Sequence, residues 1–258
     1  MSETTETKIP KLLKLKDYIT LIGTSLGITA LICAFNGAIE FLSLGFFLIS
    51  ISIGTDMIDG YIARKTKTVN EMGKELDSLS DSLTFGIVPA ILAYLSFKTE
   101  TIFDLFIIIG AICFAIGAML RLARFNIIDS LGYTGLPTPM SALLMITFFY
   151  ANYFYYMATG IFLIISSYMI PLIMILIGWF NITTYLRFGA KDRATYIISA
   201  IVAPLCPTFG IIGISSPNFL TAMISSIMFL CFFLLIMFFI IRGFCFYQMK
   251  KKKSPANV

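Results

Sequence analysis

Long runs of apolar residues, separated by short polar stretches, dominate the hydropathy pattern of the chain. Each run is close to the roughly 17–25 residues that an α-helix needs to cross a hydrocarbon core about 30 Å thick. The pattern predicts eight transmembrane helices, near residues 18–36, 40–63, 76–97, 102–126, 137–157, 160–180, 195–214 and 218–242. We therefore expect an all-α fold, a polytopic membrane helix bundle that forms a single domain over residues 1–258.

Both ends of the chain are polar. The stretch Lys8–Asp17 alternates lysines with isoleucine and leucine, which is typical of a short amphipathic helix on an anionic membrane surface. A simple charged flank of the first span explains these lysines equally well. We expect residues 1–17 to form a cytoplasmic N-terminal segment, and residues 243–258, with lysine at 250–253, to form a basic cytoplasmic tail.

Basic residues are unevenly distributed between the predicted loops. Of the 19 Lys and Arg residues, 18 fall on one side of the predicted spans, and Lys98 is the exception. Because basic residues mark the cytoplasmic side of a membrane protein, the chain is expected in the cell membrane with both termini in the cytoplasm. The net charge of +5 follows from this asymmetry, and we expect no nucleic-acid partner.

The composition limits which side chains can serve as catalytic groups or metal ligands. Only 13% of the residues are charged and 58% are hydrophobic, whereas a soluble domain carries about 25% charged residues. The chain contains no histidine, which excludes an imidazole as base, nucleophile or ligand. The five cysteines are scattered singly and have neither disulfide nor metal-site spacing. Carboxylates remain as the candidates for catalysis and metal binding.

Four aspartates lie where a membrane protein seldom places charge. Asp56 and Asp59 fall near the end of the second predicted span, and Asp77 and Asp81 open the third. Spacings of three and four residues put each pair on one helix face. Intramembrane carboxylates are costly and usually functional, and a divalent cation between them removes their repulsion. Oxygen ligands favour magnesium, manganese or calcium.

Glycine and arginine surround the four acids. Gly60 and Gly73 lack side chains, which lets a ligand or a facing backbone approach closely. Arg64 offers a fork of donors suited to a phosphate. Alternatively, the acids pair with Arg64, Lys65 and Lys74 or cap the third helix, but this does not explain why four are needed. The combination indicates a pyrophosphate site held by cations.

The motif has a specific spacing. It reads Asp56-Met-Ile-Asp59-Gly60-Tyr-Ile-Ala63-Arg64, then eight residues, Gly73, three residues, Asp77, three residues and Asp81. This resembles the signature of the CDP-alcohol phosphotransferase family, with every fixed position filled. The match covers 26 residues and lies across the second and third spans, as in that family.

The resemblance implies a role for each motif residue. One or two Mg²⁺ or Mn²⁺ ions would be held by four carboxylates, those of Asp56, Asp59, Asp77 and Asp81. Asp81 would also act as the general base. The CDP-lipid would contact the motif and the first span, through Gly60, Arg64, Asn70, Gly73, Gly23 and Thr24.

Three further stretches resemble the phosphatidylserine synthase branch of the family. They are Glu75–Gly86 (ELDSLSDSLTFG), Arg121–Asn126 (RLARFN) and Gly135–Pro139 (GLPTP). This implies that the acceptor L-serine is bound by Arg121, Arg124 and Asn126. A fork-shaped guanidinium suits a carboxylate. Alternatively, both arginines are positive-inside anchors or counter-charges of the aspartates.

As a whole, the resemblance implies transfer of a phosphatidyl or archaetidyl group from CDP-diacylglycerol or CDP-archaeol to L-serine, with release of CMP. It also implies that the protein is a homodimer and that it contacts membrane lipids. Two alternatives stay open at this point. The same chemistry could use glycerol phosphate or inositol phosphate as acceptor. The acids could instead serve an ion-coupled transporter, although they cluster at one membrane face and not at the midplane where transporters bind.

Overall fold

The computed structural model of the chain describes residues 13–66, 71–127, 133–188 and 218–253, together with positions 205 and 208. Its helices are α1 (Leu15–Asn36), α2 (Ile39–Thr66), α3 (Glu71–Asp81), α4 (Val88–Phe97), α5 (Asp104–Ile127), α6 (Thr138–Thr159), α7 (Ile164–Ile182) and α8 (Phe219–Lys253). The π-helical segment Ser82–Ile87 joins α3 to α4. Two short strands, β1 (Tyr133–Thr134) and β2 (Arg187–Phe188), pair in antiparallel fashion.

Glycine and aspartate residues mark several helix ends. Gly37 ends α1 and Gly160 ends α6, both with positive φ, which glycine adopts at little cost. Each donates its backbone N–H to a carbonyl of the preceding turn. Asp104 opens α5 and accepts backbone hydrogen bonds from Thr99 and Glu100 at 2.7 and 3.0 Å. These caps produce the sharp reversals that pack successive helices side by side.

Six helices are long and apolar enough to cross a membrane, judged by length and composition over the described part of the chain. They are Leu15–Asn36, Ile39–Ile62, Glu71–Phe97, Asp104–Ile127, Ile164–Ile182 and Phe219–Gly243. The protein is therefore an all-α, multi-pass membrane bundle, as predicted. The predicted count of eight is not confirmed. The predicted span near 195–214 lies outside the described residues, apart from two isolated positions.

The fifth predicted span, near 137–157, corresponds to α6, which is absent from those six. Almost every residue of α6 from Thr138 to Phe154 is buried, so this helix occupies the centre of the bundle. It contacts α2, α4, α5, α7 and α8. Because its neighbours shield α6 from lipid, its tyrosines, threonines and Asn152 are tolerated; the Tyr150 hydroxyl donates to the Ser43 carbonyl at 2.9 Å.

The backbones of helices α5 and α7 are in direct contact at glycine residues. A Cβ added to Gly117 would lie 2.5 Å from the carbonyl oxygen of Gly178, and one added to Gly110 would lie 2.9 Å from the Cα of Pro171. Since both contacts share the same sequence offset, the two helices run parallel. Small residues are a common means of close approach between helices in membranes.

The N-terminal and C-terminal predictions fall largely outside the described residues. The predicted amphipathic segment Lys8–Asp17 is described only from Leu13 onward, and its last residues form the first turn of α1. Helix α8 reaches Lys253, and the rest of the predicted tail, 254–258, lies beyond the description. The prediction of one domain over 1–258 therefore stays a prediction.

Candidate active site

Three of the four predicted aspartates lie close together at the end of the bundle where α2 ends and α3 begins. Asp56, Asp59 and Asp77 each offer a carboxylate oxygen, and these oxygens lie within 4.8 Å of one another. We call these three residues the acid triad. Asp59 is 7% exposed and the other two are half-buried. Three carboxylates so close and so poorly hydrated repel one another strongly.

This arrangement fits a metal ion. Carboxylate oxygens are the donors that hard divalent cations prefer. Binding would also remove the mutual repulsion of the acid triad. The triad could therefore hold a metal ion.

Asp81 is the last residue of α3 and lies where the π-helical segment begins. Over the residues that the structure describes, the group of closest oxygens does not include Asp81. It interacts electrostatically with Asp56 and Asp77, and Arg121 supplies opposite charge to it and to Asp56. Asp81 therefore lies beside the acid triad. π-Helical turns are frequent at functional sites.

The first turns of α1 contribute polar groups that the sequence did not single out. Thr20 donates its hydroxyl to Oδ2 of Asp59 at 2.8 Å. One turn earlier, the Lys16 ammonium lies 3.0 Å from Oδ1 of Asp17. Lys16 also interacts electrostatically with Asp59 and Asp77. From the sequence, Lys16 and Asp17 belong to the charged flank of a span, and no sequence pattern indicated that their side chains are buried.

Gly23 and Thr24, both predicted to contact the CDP-lipid, lie at the interface of α1 with α2 and α3. Ser52 donates to the Gly23 carbonyl at 3.0 Å, and Thr24 donates to the Ser80 hydroxyl at 2.7 Å. A Cβ at Gly23 would lie 2.6 Å from Oγ1 of Thr55. Both residues are thus part of the helix packing that supports the acid triad, and their contact with a lipid stays a prediction.

The remaining signature residues are only partly described. Gly60 is half-buried on α2, and Gly73 is buried on α3. The backbone of Arg64 continues α2, but its side chain lies outside the described residues, as does the whole of Asn70. The roles predicted for these four residues stay predictions.

The residues predicted to bind serine occupy two different environments. Arg121 is buried and donates from Nη1 to Oγ1 of Thr138 at 3.0 Å, and it interacts with Asp56 and Asp81 as described above. Arg124 instead donates to the backbone carbonyls of Ile182 at 2.6 Å and Asn181 at 3.3 Å. Arg121 is therefore close enough to attract two of the acids, whereas Arg124 caps the end of α7.

Asn126 connects α5 to α3. Its Nδ2 donates to the Ser78 hydroxyl at 2.8 Å, and its backbone carbonyl accepts from the Lys74 ammonium at 3.0 Å. These two contacts hold the helix that carries Asp77 and Asp81 against the end of α5. Asn126 therefore positions α3, and its predicted contact with serine stays a prediction.

A buried amide near Arg124 was also missed. Asn181, at the end of α7, is fully buried, and its Oδ1 accepts the Ser141 hydroxyl at 2.6 Å. Its Nδ2 has no hydrogen-bond partner among the described residues. No sequence motif contains Asn181, so only the fold brings it to this end of the bundle.

Comparison with known proteins relates this geometry to a family. The sequence model of the CDP-alcohol phosphatidyltransferase family matches residues 13–186. A CDP-diacylglycerol–serine O-phosphatidyltransferase from Methanocaldococcus jannaschii is 40% identical over 140 residues, 54% of this chain and 62% of the relative. An archaetidylserine synthase from Methanothermobacter thermautotrophicus is 32% identical over 163 residues, 62% of this chain and 67% of the relative.

A bacterial relative is similar over a shorter stretch. A CDP-diacylglycerol–serine O-phosphatidyltransferase from Bacillus subtilis is 37% identical over 115 residues, 43% of this chain and 59% of the relative. The matched stretches thus span about two thirds of these relatives or less. The family match, in contrast, includes α1 to α7 and every residue of the acid triad. The chain belongs to the CDP-alcohol phosphatidyltransferase family.

Proposed function

We propose that the chain transfers the phosphatidyl or archaetidyl group of a CDP-activated lipid to the hydroxyl of L-serine and releases CMP. The observation that carries this proposal is the acid triad, whose three oxygens lie within 4.8 Å of one another inside the family signature. The names of the relatives from M. jannaschii, M. thermautotrophicus and B. subtilis support serine as the acceptor. They also support both an ester and an ether donor.

The acid triad would bind the diphosphate of the donor through a metal ion. Asp56, Asp59 and Asp77, with Asp81, would hold Mg²⁺ or Mn²⁺, whose chemistry when bound is to screen the charge of the diphosphate and of the departing CMP. Arg64 and Asn70 on the α2–α3 side would contact the CDP part, with Gly60 and Gly73 leaving room for it. Donor binding by Gly23 and Thr24 belongs to the same proposal.

The chain's own residues would bind and deprotonate the acceptor. The buried Arg121 guanidinium binds the serine carboxylate, because a planar fork of donors matches a carboxylate. The serine hydroxyl oxygen bonds to the lipid-bearing phosphorus, the bond from that phosphorus to the CMP oxygen breaks, and a carboxylate oxygen of Asp81 accepts the hydroxyl proton. Asp81 suits this task because it is a carboxylate that lies beside the acid triad.

The proposal includes a location. The 18 basic residues on one side of the spans support a cell-membrane protein with both termini and the active site facing the cytoplasm. CDP-lipid and serine would then meet at the cytoplasmic interface. A homodimer remains a prediction based on the family resemblance.

The test is CMP release by purified protein in lipid nanodiscs. We expect release from CDP-diacylglycerol or CDP-archaeol that requires L-serine, is abolished by EDTA and is restored by Mg²⁺ or Mn²⁺. Asp81→Asn should lower kcat by at least about 100-fold, since it removes the general base. Glu71→Gln, an exposed carboxylate at the start of the same helix, is the matched control and should retain activity.

Two results would contradict the proposal. Release with glycerol phosphate or inositol phosphate but not with serine would keep the chemistry and replace the acceptor. No release with any alcohol, in a folded and metal-loaded sample, would favour an ion-coupled transporter.

A further inference from the structure

A lysine is buried beside the acid triad without belonging to the family signature. Lys16 is 7% exposed, and its ion-pair partner Asp17 is 0% exposed. Taking an ammonium out of water costs several kcal/mol, which a single carboxylate does not fully offset. An apolar side chain would pack at this position at no such cost. Retaining a charge here is therefore better explained by a ligand than by stability.

The position of Lys16 follows from α1. Lys16 and Thr20 are four residues apart and so share one helix face. Thr20 donates to Asp59 of the acid triad at 2.8 Å, and Lys16 therefore lies one turn further towards the N-terminal end of α1. Its attraction to Asp59 and Asp77 indicates the same proximity. The ammonium is thus at the rim of the triad.

The ion pair leaves the ammonium able to bind something else. Lys16 Nζ lies 3.0 Å from Oδ1 of Asp17, a contact that uses one of the three N–H donors of the ammonium. The other oxygen, Oδ2, accepts the backbone N–H of Lys14 at 2.7 Å. Asp17 therefore holds the ammonium while itself fixed to the helix end, and two N–H donors of the ammonium are left for an anionic oxygen.

We propose that the Lys16 ammonium binds the diphosphate of the CDP-activated lipid at the rim of the acid triad, with Asp17 as its positioning residue. The inference rests on the proposed function for the identity of the diphosphate. It has a distinctive consequence, because a fixed positive charge attracts a diphosphate and repels a divalent cation. Removing that charge must weaken donor binding and strengthen metal binding.

The experiment compares Lys16→Met with the matched control Lys14→Met, which removes an exposed lysine two residues away. Mn²⁺ affinity is measured by electron paramagnetic resonance without donor, and the KM for CDP-diacylglycerol and for serine is measured by CMP release. Lys16→Met should bind Mn²⁺ about tenfold more tightly and raise the donor KM about tenfold, with the serine KM unchanged. Lys16→Arg should restore both values, and Lys14→Met should change neither.

Lys16→Met leaves the buried carboxylate of Asp17 without its ion-pair partner and could therefore misfold. A double variant avoids this problem. Lys16→Met with Asp17→Asn removes the pair as a neutral unit. It should raise the donor KM as the single variant does, while leaving Mn²⁺ affinity near that of the parent protein.

Three results decide between the inference and its rivals. Weaker Mn²⁺ and donor binding together, with a lower Tm, would make Lys16 a packing residue and overturn the inference. Tighter Mn²⁺ binding with an unchanged donor KM would reduce Lys16 to a counter-charge of the triad and would also overturn it. If serine supports no turnover but CDP-diacylglycerol binding, measured directly, weakens in Lys16→Met, the inference holds and the serine proposal fails.

Discussion

Arg124 is a side chain predicted to bind the substrate that also holds a helix end. Its two Nη nitrogens donate to the carbonyls of Asn181 and Ile182, which the helix geometry of α7 leaves without internal donors. A basic residue at this position satisfies both carbonyls and interacts favourably with the helix dipole. Arg121, one turn earlier on α5, lies beside the acids and is better placed to bind a substrate carboxylate.

Arg124→Ala should therefore affect stability more than acceptor binding. We expect a loss of about 1–3 kcal/mol, because the variant loses two hydrogen bonds donated by a charged group, seen as a lower Tm of the detergent-purified protein. The serine KM should change little, whereas Arg121→Ala should raise it by at least about tenfold, the loss of a charge-assisted contact. A large rise in the serine KM of Arg124→Ala, with an unchanged Tm, would instead support the prediction that Arg124 binds serine.

Much of the site, but not all of it, was predictable from single residues. Asp56, Asp59 and Asp77 stand at family spacing in adjacent spans, so local pattern predicted that they could converge. Lys16 gave no such signal, because charge at the start of a span is usually exposed and only the packing of α1 buries it. The partners of Arg124 lie 57 and 58 residues away in the chain, and the hydrophobic pattern of a sequence does not predict contacts between such distant residues.

At the scale of elements, the parallel contact of α5 with α7 sets where Arg121 and Arg124 lie. Gly117 packs on the backbone of Gly178, and Arg121 follows one turn later on the same face. The apolar runs predicted both helices, since hydropathy alone determines where a span lies. Their pairing was not predictable, because glycines in membrane helices do not reveal which neighbour they approach.

Gly117→Ala tests this contact. The added Cβ would lie 2.5 Å from the Gly178 oxygen, so we expect the variant to lose about 1–3 kcal/mol through overpacking, measured by thermal unfolding. Gly54→Ala is the matched control: nothing lies within 4 Å of a Cβ there, and the change should be neutral or stabilising by up to about 1 kcal/mol. Equal effects of the two substitutions would contradict the close packing.

At the scale of the whole molecule, the central helix α6 needs partners on all sides, and α8 supplies one. Phe229 of α8 stacks on Tyr150 and Phe154 of α6, with ring centroids 5.1 and 5.7 Å apart, and Ser226 donates to the Ala151 carbonyl. The family match ends at residue 186, so α8 lies beyond it. The part outside the match nonetheless completes the shell around α6.

The orientation in the membrane can be tested with two cysteine variants. The span Glu71–Phe97 separates Glu71 from Glu100, whose side chain is 79% exposed, so the two residues should face opposite compartments. In intact cells, an impermeant maleimide should label Glu100→Cys, and it should label Glu71→Cys only after permeabilisation. The parent protein, with five native cysteines, gives the background, and the reverse labelling pattern would invert the proposed topology.

The π-helical segment Ser82–Ile87 has a consequence for how this sequence can diverge. Each π turn holds more residues than an α turn, and one residue added to or removed from a helix rotates everything beyond it by about 100°. Asp77 and Asp81 lie before the segment, and the buried face of α4, with Leu92 and Phe97, lies after it. A one-residue insertion or deletion here would turn the carboxylates away from α2 while α4 stayed packed. We therefore expect natural variants of this stretch to differ by substitution and to conserve its length.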